Sequence, residues 1–284
     1  MKTVVITGAT SGIGLAAARK LAASGFQVIG IGRSAENCEK ALSQVKKAEP
    51  DAEIKYFTAD LMQQREINRL AEELARTIED HCGGELFALI NNVGCVRSWY
   101  ATTEEGYEQQ FALNHLAGFL LTYRLMPYIE KAEGRVIMTC SNSHKGARIY
   151  WKDVMLKDGY NPLKAYKQSK LCNILFAKEL NNLYGKKGIH AYAVDPGLVK
   201  TDIGNKQTGG IVSFVWKLRK RHGVPPEIPA ETYVYLCGQE SAPTGLYYYL
   251  CREQKYSGQV TDENAARLFS LSERLCAVSY GRSV

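Results

Sequence analysis

With 284 residues, 45% hydrophobic content and ordinary charge, the chain can bury a large core, and its length argues against two small domains. We predict a single domain over residues 1–284. The net charge of +7 is spread along the chain apart from a basic run at 217–222, which does not favour a nucleic-acid partner. For that run we favour a solvated helix face over contact with a membrane surface.

The sequence also argues against membrane insertion and disulfide bonding. No apolar stretch approaches the roughly 20 residues of a membrane span, and the first apolar run is too short for a signal peptide. Eight cysteines are scattered without a CxxC pair, which indicates reduced thiols. We expect a cytoplasmic protein without a membrane span. Five histidines without ligand-like spacing predict no catalytic metal.

Short apolar runs of strand length alternate with longer segments of helical periodicity. The predicted strands are 3–7, 27–31, 54–58, 87–91, 135–140, 190–194 and 246–250. The predicted helices are 13–23, 35–47, 65–79, 109–130 and 165–183. Right-handed crossovers between them give an α/β fold with a doubly wound, mostly parallel sheet, a Rossmann fold with helices on both faces. Such a sheet binds ligands at the carboxyl ends of its strands.

Two segments, 142–162 and 201–229, are the least regular. The second contains Gly209, Gly210, Pro225 and Pro226, which interrupt regular structure. Because long loops near a site often act as lids, we expect a substrate lid at about 201–229. Its apolar residues at 211–216 could cover an apolar substrate, and the alternative interpretation is an amphipathic helix packed on the core.

A glycine-rich turn follows the first predicted strand and opens the first helix, with glycines at Gly8, Gly12 and Gly14. Glycine lets the backbone approach a pyrophosphate, and the helix N-terminus offers free N–H groups and a positive dipole end. The context of a strand before and a helix after favours a dinucleotide site over an ordinary turn. The cofactor-binding residues predicted here are Thr7, Gly8, Ser11, Gly12, Ile13 and Gly14.

The second predicted strand ends at Gly32 and Arg33, where dinucleotide enzymes distinguish their two cofactors. A carboxylate there accepts from the ribose hydroxyl of NAD, whereas an arginine can hold the 2′-phosphate of NADP. Because glycine replaces the carboxylate and arginine supplies a cation, we favour NADP(H), with NAD(H) possible. The alternative is that Arg33 only stacks on the adenine or faces solvent.

Tyr166 and Lys170 lie four residues apart in a predicted helix, so both side chains fall on one face. A free phenol has a pKa near ~10, and a neighbouring ammonium favours the phenolate and lowers that value. Tyr166 is therefore the candidate acid or base.

These motifs resemble the short-chain dehydrogenase/reductase family, whose compact members carry TGxxxGxG at the N-terminus and YxxxK past the middle. Further family motifs recur in order along nearly the whole chain. The resemblance implies additional cofactor-binding residues at Asp60, Leu61, Asn91, Val93, Gly94, Pro196, Gly197, Val199 and Thr201. Asp60 could equally cap the following turn, and Asn91 could be mainly structural. Asp195 has no role in this interpretation.

The resemblance also implies the chemistry, a hydride exchange between a nicotinamide and a carbonyl or alcohol. Ser141 would donate a hydrogen bond to the substrate oxygen, Tyr166 would transfer the proton, and Lys170 would lower the tyrosine pKa and reach the cofactor ribose. Asn114 would hold a water that links Lys170 to solvent. Ser143 is an alternative to Ser141. His144 is expected to be a loop or pocket residue rather than the base.

The segment between Ser141 and Tyr166 and the tail from Gly245 onward look like the retinol-dehydrogenase branch of the family. That branch acts on retinoids and other lipophilic aldehydes, ketones and alcohols. A homo-oligomer formed through helices 109–130 and 165–183 is what the family implies. A catalytically silent NADP-binding sensor or scaffold is the main alternative, and a nucleotide-sugar epimerase or dehydratase is disfavoured by the glycine spacing.

Overall fold

The structure, a computed structural model, describes residues 1–200 and 223–281. Within them, eight strands form one sheet in the order β3-β2-β1-β4-β5-β6-β7-β8. The strands are β1 (Thr3–Thr7), β2 (Gln27–Gly32), β3 (Ile54–Thr58), β4 (Ala88–Asn91), β5 (Arg135–Thr139), β6 (His190–Val194), β7 (Tyr247–Tyr249) and β8 (Arg252–Glu253). Strands β1 to β7 pair in parallel and β8 pairs antiparallel with β7. This confirms the doubly wound, mostly parallel sheet.

Helices cover both faces of the sheet. They are α1 (Gly12–Ala23), α2 (Ala35–Ala48), α3 (Gln64–His81), α4 (Gln109–Phe111), α5 (Ala117–Lys131), α6 (Pro162–Tyr184), α7 (Glu227–Gly238) and α8 (Asp262–Cys276). One apolar core joins α3, α5, α6 and α8 to one face, and a second joins α1 and α7 to the other. Successive strand residues alternate between the cores, with Val4 and Ile6 in the second and Val5 in the first, as the period of a strand requires.

The predicted helix at 109–130 is not uniform. A short α4 passes through one π turn, Ala112–Leu116, into α5. Such turns insert one extra residue into a helix and often lie at functional sites. The prediction was therefore right about a helix here and wrong about its regularity.

Helix α6 begins three residues before its predicted start. Asn161 caps it, because its Oδ1 accepts from the backbone N–H groups of Leu163 and Lys164 at 3.0 Å each, and Pro162 takes the first turn, where no N–H is needed. The cap fixes the register of the helix that carries Tyr166.

The irregular segment 142–162 is anchored to its neighbours. Its first residues form a 3₁₀ turn, Asn142–Gly146. Further along, Gln168 of α6 accepts from the Tyr150 backbone N–H at 2.9 Å and donates to the Val154 carbonyl at 2.8 Å. The Tyr160 hydroxyl donates to the buried Glu108 carboxylate at 2.9 Å. Side-chain hydrogen bonds thus hold this loop against α6 and α4.

The predicted lid at 201–229 falls largely outside the described residues, as do Thr201, the apolar residues 211–216 and the basic run 217–222. The two flanking segments meet. Val224 donates its backbone N–H to the Leu198 carbonyl at 2.8 Å and accepts from Lys200 at 3.0 Å. The end of the predicted irregular segment, residues 227–229, belongs instead to the first turn of α7. In the described ranges, no helix combines the length and apolar composition that a bilayer crossing requires.

Candidate active site

The predicted site residues lie at or after the carboxyl ends of strands β1 to β6, which are neighbours in the sheet, apart from Asn114, Tyr166 and Lys170, which lie in the π turn and in α6. Chain connections leave β1 and β4 in opposite directions, so a crevice opens between them. Ligands of doubly wound sheets bind in that crevice.

The glycine-rich turn after β1 forms a cradle in which Gly8 and Gly14 could not be replaced by a residue with a side chain without strain. Gly8 has a φ of +68°, in the left-handed region. A Cβ on Gly14 would lie 2.2 Å from the Gly8 carbonyl oxygen and 2.6 Å from Nδ2 of Asn92. The first turn of α1 carries no acidic residue, and Ser11 makes no side-chain capping bond there. These features suit the pyrophosphate of a dinucleotide.

Thr7 and Asn92 join the ends of β1 and β4 behind this cradle. Oγ1 of Thr7 accepts from the backbone N–H groups of Asn92 at 2.9 Å and Val93 at 3.0 Å. Nδ2 of Asn92 donates to the Thr7 carbonyl at 2.9 Å. Sequence reasoning missed Asn92, although it adjoins the predicted Asn91 and follows a strand, where asparagine often bonds to backbone.

The Asn91 side chain points away from the cradle. Its Nδ2 donates to Oγ1 of Thr122 in α5 at 3.1 Å, and Gly118 is close enough that its Cβ would lie 3.1 Å from Cγ of Asn91. Asn91 thus links β4 to α5. This geometry fits the alternative that Asn91 is mainly a structural residue.

The end of β2 leaves no room for a carboxylate at residue 32. A Cβ on Gly32 would lie 2.4 Å from Cγ2 of Thr10 and 2.6 Å from Sγ of Cys38. Arg33 is exposed and makes no ion pair with a described carboxylate.

Asp60, after β3, makes a turn-capping bond. Its Oδ1 accepts from the Met62 backbone N–H at 3.1 Å, which is the capping role left open by the sequence.

Tyr166 and Lys170 are brought together as predicted. Nζ of Lys170 lies 5.7 Å from the Tyr166 ring centroid and donates to the Thr139 carbonyl at the end of β5 at 3.0 Å. Burial lowers the pKa of Lys170, while Cys140, Cys95 and Asp195 act in the opposite direction. The backbone of β5 thus holds the ammonium beside the phenol.

Asn114 lies in the π turn, and its side chain makes three hydrogen bonds. Oδ1 accepts from the Cys95 backbone N–H at 2.7 Å, while Nδ2 donates to the Cys95 carbonyl and to Oγ of Ser169, each at 3.0 Å. A Cβ on Gly94 would lie 3.1 Å from Oδ1 of Asn114 and 3.6 Å from Nζ of Lys170. Asn114 therefore joins the segment after β4 to α6 beside the lysine.

Ser141 caps the 3₁₀ turn that follows β5. Its Oγ accepts from the Ser143 backbone N–H at 3.3 Å, which orients the oxygen and leaves the hydroxyl hydrogen able to donate. Oγ of Ser143 is buried without a partner among the described residues. This geometry favours Ser141 over Ser143 as the donor.

Both ring nitrogens of His144 are occupied. Nε2 accepts from the Ser257 backbone N–H at 3.2 Å, so Nδ1 carries the hydrogen and donates to the Ser141 carbonyl at 2.8 Å. Burial lowers the pKa of His144. His144 therefore stabilises the turn through these two bonds, in keeping with the expectation that it is a loop residue and not the base.

The structure gives Asp195 a place at the turn after β6. Oδ1 accepts from the Gly197 backbone N–H at 2.9 Å, and Oδ2 accepts from the Tyr247 hydroxyl at 2.9 Å. Gly197 has a φ of +69°, and its Cβ would lie 2.9 Å from the Tyr249 ring. An aspartate two residues before a positive-φ glycine is a turn signal that could have been read from the sequence.

The chain is similar to known proteins over nearly its whole length. The family model for short chain dehydrogenases matches residues 2–210. Retinol dehydrogenase 13 of Mus musculus is 32% identical over 98% of this chain and 84% of its own, and that of Homo sapiens is 33% identical over 96% and 84%. A crystal structure of an uncharacterized protein from Mycobacterium Paratuberculosis has a TM-score of 0.75 and 27% identity, with 99% of this chain and 95% of that chain covered. The chain belongs to the short-chain dehydrogenase/reductase family, in its retinol-dehydrogenase-like branch, and is an NAD(P)-dependent oxidoreductase that acts on CH–OH or C=O groups.

Proposed function

We propose that this enzyme prefers NADP(H), acts on a lipophilic carbonyl or alcohol, and uses Tyr166 as its acid and base. The proposal depends mainly on the buried Lys170, whose Nζ lies 5.7 Å from the centroid of the Tyr166 ring. Both residues lie on the side of the sheet where the strands have their carboxyl ends, as does the glycine cradle. A fixed positive charge there stabilises a phenolate and makes proton exchange at neutral pH easier.

Each residue has a distinct task in carbonyl reduction. The cradle at Gly8 and Gly14 would bind the dinucleotide, and the nicotinamide, when bound, supplies the hydride. Ser141 donates a hydrogen bond to the carbonyl oxygen, and Tyr166 gives it a proton, so hydride and proton together form the alcohol. Lys170 stabilises the phenolate that remains. Oxidation of an alcohol runs through the same groups in reverse.

A lipophilic substrate is supported by exposed apolar side chains in segments that are close in sequence to the predicted site residues. Trp99 is 50% exposed, Leu163 43% and Leu198 47%. Trp99 lies in the segment after β4, and Leu198 lies in the segment after β6. Leu163 lies in α6, less than one helical turn before Tyr166. Exposed apolar groups around a site suit an apolar ligand. The two relatives are named for retinol, a lipophilic alcohol, which agrees with this proposal.

The NADP preference depends on Arg33, and it makes a testable prediction. Arg33→Asp should weaken NADPH binding by about 10- to 100-fold, because a charge-assisted contact to the 2′-phosphate is replaced by repulsion, and NADH should become the better ligand. Fluorescence titration of both cofactors measures this. Lys47→Asp is the matched control, since Lys47 is an exposed cation in α2. Equal affinities in Arg33→Asp and the parent protein would mean that Arg33 does not contact the phosphate.

Cytoplasmic residence and self-association also remain predictions. All eight cysteines are free thiols, which supports a reducing compartment. Cell fractionation tests the first, and light scattering of the purified chain tests association through α5 and α6. Recovery in a secreted fraction, or a monomer at all concentrations, would contradict them.

A further inference from the structure

Tyr247 of β7 is a buried side chain that contacts two turns of the site. Its hydroxyl donates to Oδ2 of Asp195, directly after β6, at 2.9 Å. Its ring lies against that of His144, in the 3₁₀ turn after β5, with a centroid distance of 4.8 Å and the two planes 68° apart. Aromatic pairs favour such an edge-to-face arrangement. One residue therefore contacts both the turn after β6 and the turn after β5.

The hydroxyl of Tyr247 holds one side of a buried carboxylate. Asp195 is buried and forms no ion pair with a described cation, so its charge depends on hydrogen-bond donors. Within the described ranges, the Gly197 backbone N–H donates to Oδ1 and the Tyr247 hydroxyl donates to Oδ2, each at 2.9 Å. Burial and the neighbouring Asp195 raise the pKa of Tyr247, so its hydroxyl keeps the hydrogen that it donates. Loss of that hydroxyl would leave the carboxylate held on the Gly197 side alone.

The ring of Tyr247 packs on an imidazole whose bonds hold the Ser141 turn. Nδ1 of His144 donates to the Ser141 carbonyl at 2.8 Å, and Nε2 accepts from the Ser257 backbone N–H at 3.2 Å. These two bonds leave the imidazole able to tilt about the line between its nitrogens. Close packing against the Tyr247 ring opposes that tilt.

We propose that Tyr247 is a positioning residue that holds two turns of the active site, one through its hydroxyl bond to Asp195 and one through its ring contact with His144. The first turn carries Gly197, which is predicted to contact the cofactor. The second is capped by Ser141, which donates to the substrate oxygen. The inference rests on the proposed function for these two roles. Because the two contacts use different parts of one side chain, they can be removed separately.

Cofactor binding tests the hydroxyl contact and needs no turnover. NADPH and NADH are titrated by fluorescence, and the cofactor that the parent protein binds more tightly is used for the variants. Tyr247→Phe should weaken its binding about fivefold to tenfold. In an Asp195→Ala background the same substitution should change binding less than about twofold, because the partner of the hydroxyl is already absent. Equal effects in both backgrounds would overturn the proposal.

Tyr248→Phe is the matched control for this arm. Tyr248 is the next residue of the same strand and packs in the other core. Its hydroxyl also makes one hydrogen bond, which it accepts from the Gly245 backbone N–H at 3.0 Å. This variant should bind the cofactor like the parent, and a loss equal to that of Tyr247→Phe would overturn the proposal.

Hydrogen exchange at His144 tests the ring contact, again without turnover. In ¹⁵N-histidine-labelled full-length protein, the Nδ1–H signal of His144 is assigned by its loss in His144→Gln. The signal should be retained in Tyr247→Phe, which keeps the ring, and should exchange about tenfold faster in Tyr247→Leu, because the imidazole opens more easily. Equal exchange rates in the two variants would overturn the proposal.

Kinetics measure the effect on the chemical step, and this arm alone needs a turned-over substrate. At saturating cofactor, kcat of Tyr247→Leu should be about threefold to tenfold below that of Tyr247→Phe, because only the first variant loses the support of the Ser141 turn. Equal kcat values would overturn the proposal. If no substrate turns over, the proposed function fails, while cofactor binding and hydrogen exchange still decide the role of Tyr247.

Discussion

Tyr166→Phe is expected to lower kcat by about 10²- to 10⁴-fold, the range that a positioned general acid contributes. The substitution keeps the ring beside Lys170 and removes only the hydroxyl that would exchange the proton. NADPH affinity should stay close to that of the parent, because the glycine cradle is untouched. Single-turnover NADPH oxidation measures the chemical step, and a fluorescence titration measures binding.

The control for this variant is Tyr256→Phe, which removes a hydroxyl from a tyrosine that is 40% exposed. It should turn over like the parent. If Tyr166→Phe also retains the parent rate, the proton comes from another group, and Tyr166 is not the acid.

Gly14→Ala is expected to abolish tight cofactor binding. Its Cβ would lie 2.2 Å from the Gly8 carbonyl oxygen, a backbone atom, so either α1 or the turn must move. We expect NADPH to bind at least about 100-fold more weakly and the protein to lose about 1–3 kcal/mol of unfolding free energy, the usual cost of overpacking. NADPH should then no longer raise the thermal midpoint, because a ligand stabilises only in proportion to its binding.

Gly238→Ala is the matched control, since Gly238 ends α7 and has no heavy atom within 4 Å of its would-be Cβ. It should bind NADPH like the parent. Parent-like binding by Gly14→Ala would show that the turn does not cradle the dinucleotide.

The order of strands and helices was predictable because local patterns dictate it. Buried parallel strands are apolar on both faces, as Val4 to Ile6 and Val136 to Met138 are, and helices between them show a different period. The π turn before α5 was not predictable, because local periodicity does not reveal bonds such as those of Asn114 to residues that are 19 and 55 positions away in the sequence. The helices α7 and α8 were also missed, the first because prolines at 225, 226 and 229 suggested a loop.

The site was predictable where one motif lies within a few residues, as with Gly8 to Gly14 or Tyr166 and Lys170. It was less predictable where distant segments meet. Asn92 joins two strands through bonds to Thr7, and the bond between Asp195 and Tyr247 spans 52 residues.

The measurement that tests the central claim most directly is NADPH oxidation by the purified protein against aldehydes, aromatic ketones, quinones, steroids and retinal, with NADH in parallel. We expect turnover of at least one lipophilic carbonyl, faster with NADPH than with NADH, and loss of this turnover in Tyr166→Phe. Failure to bind NADPH, or a preference for NADH, would contradict the cofactor argument. Tight NADPH binding without turnover of any compound would contradict the assignment of a lipophilic carbonyl substrate.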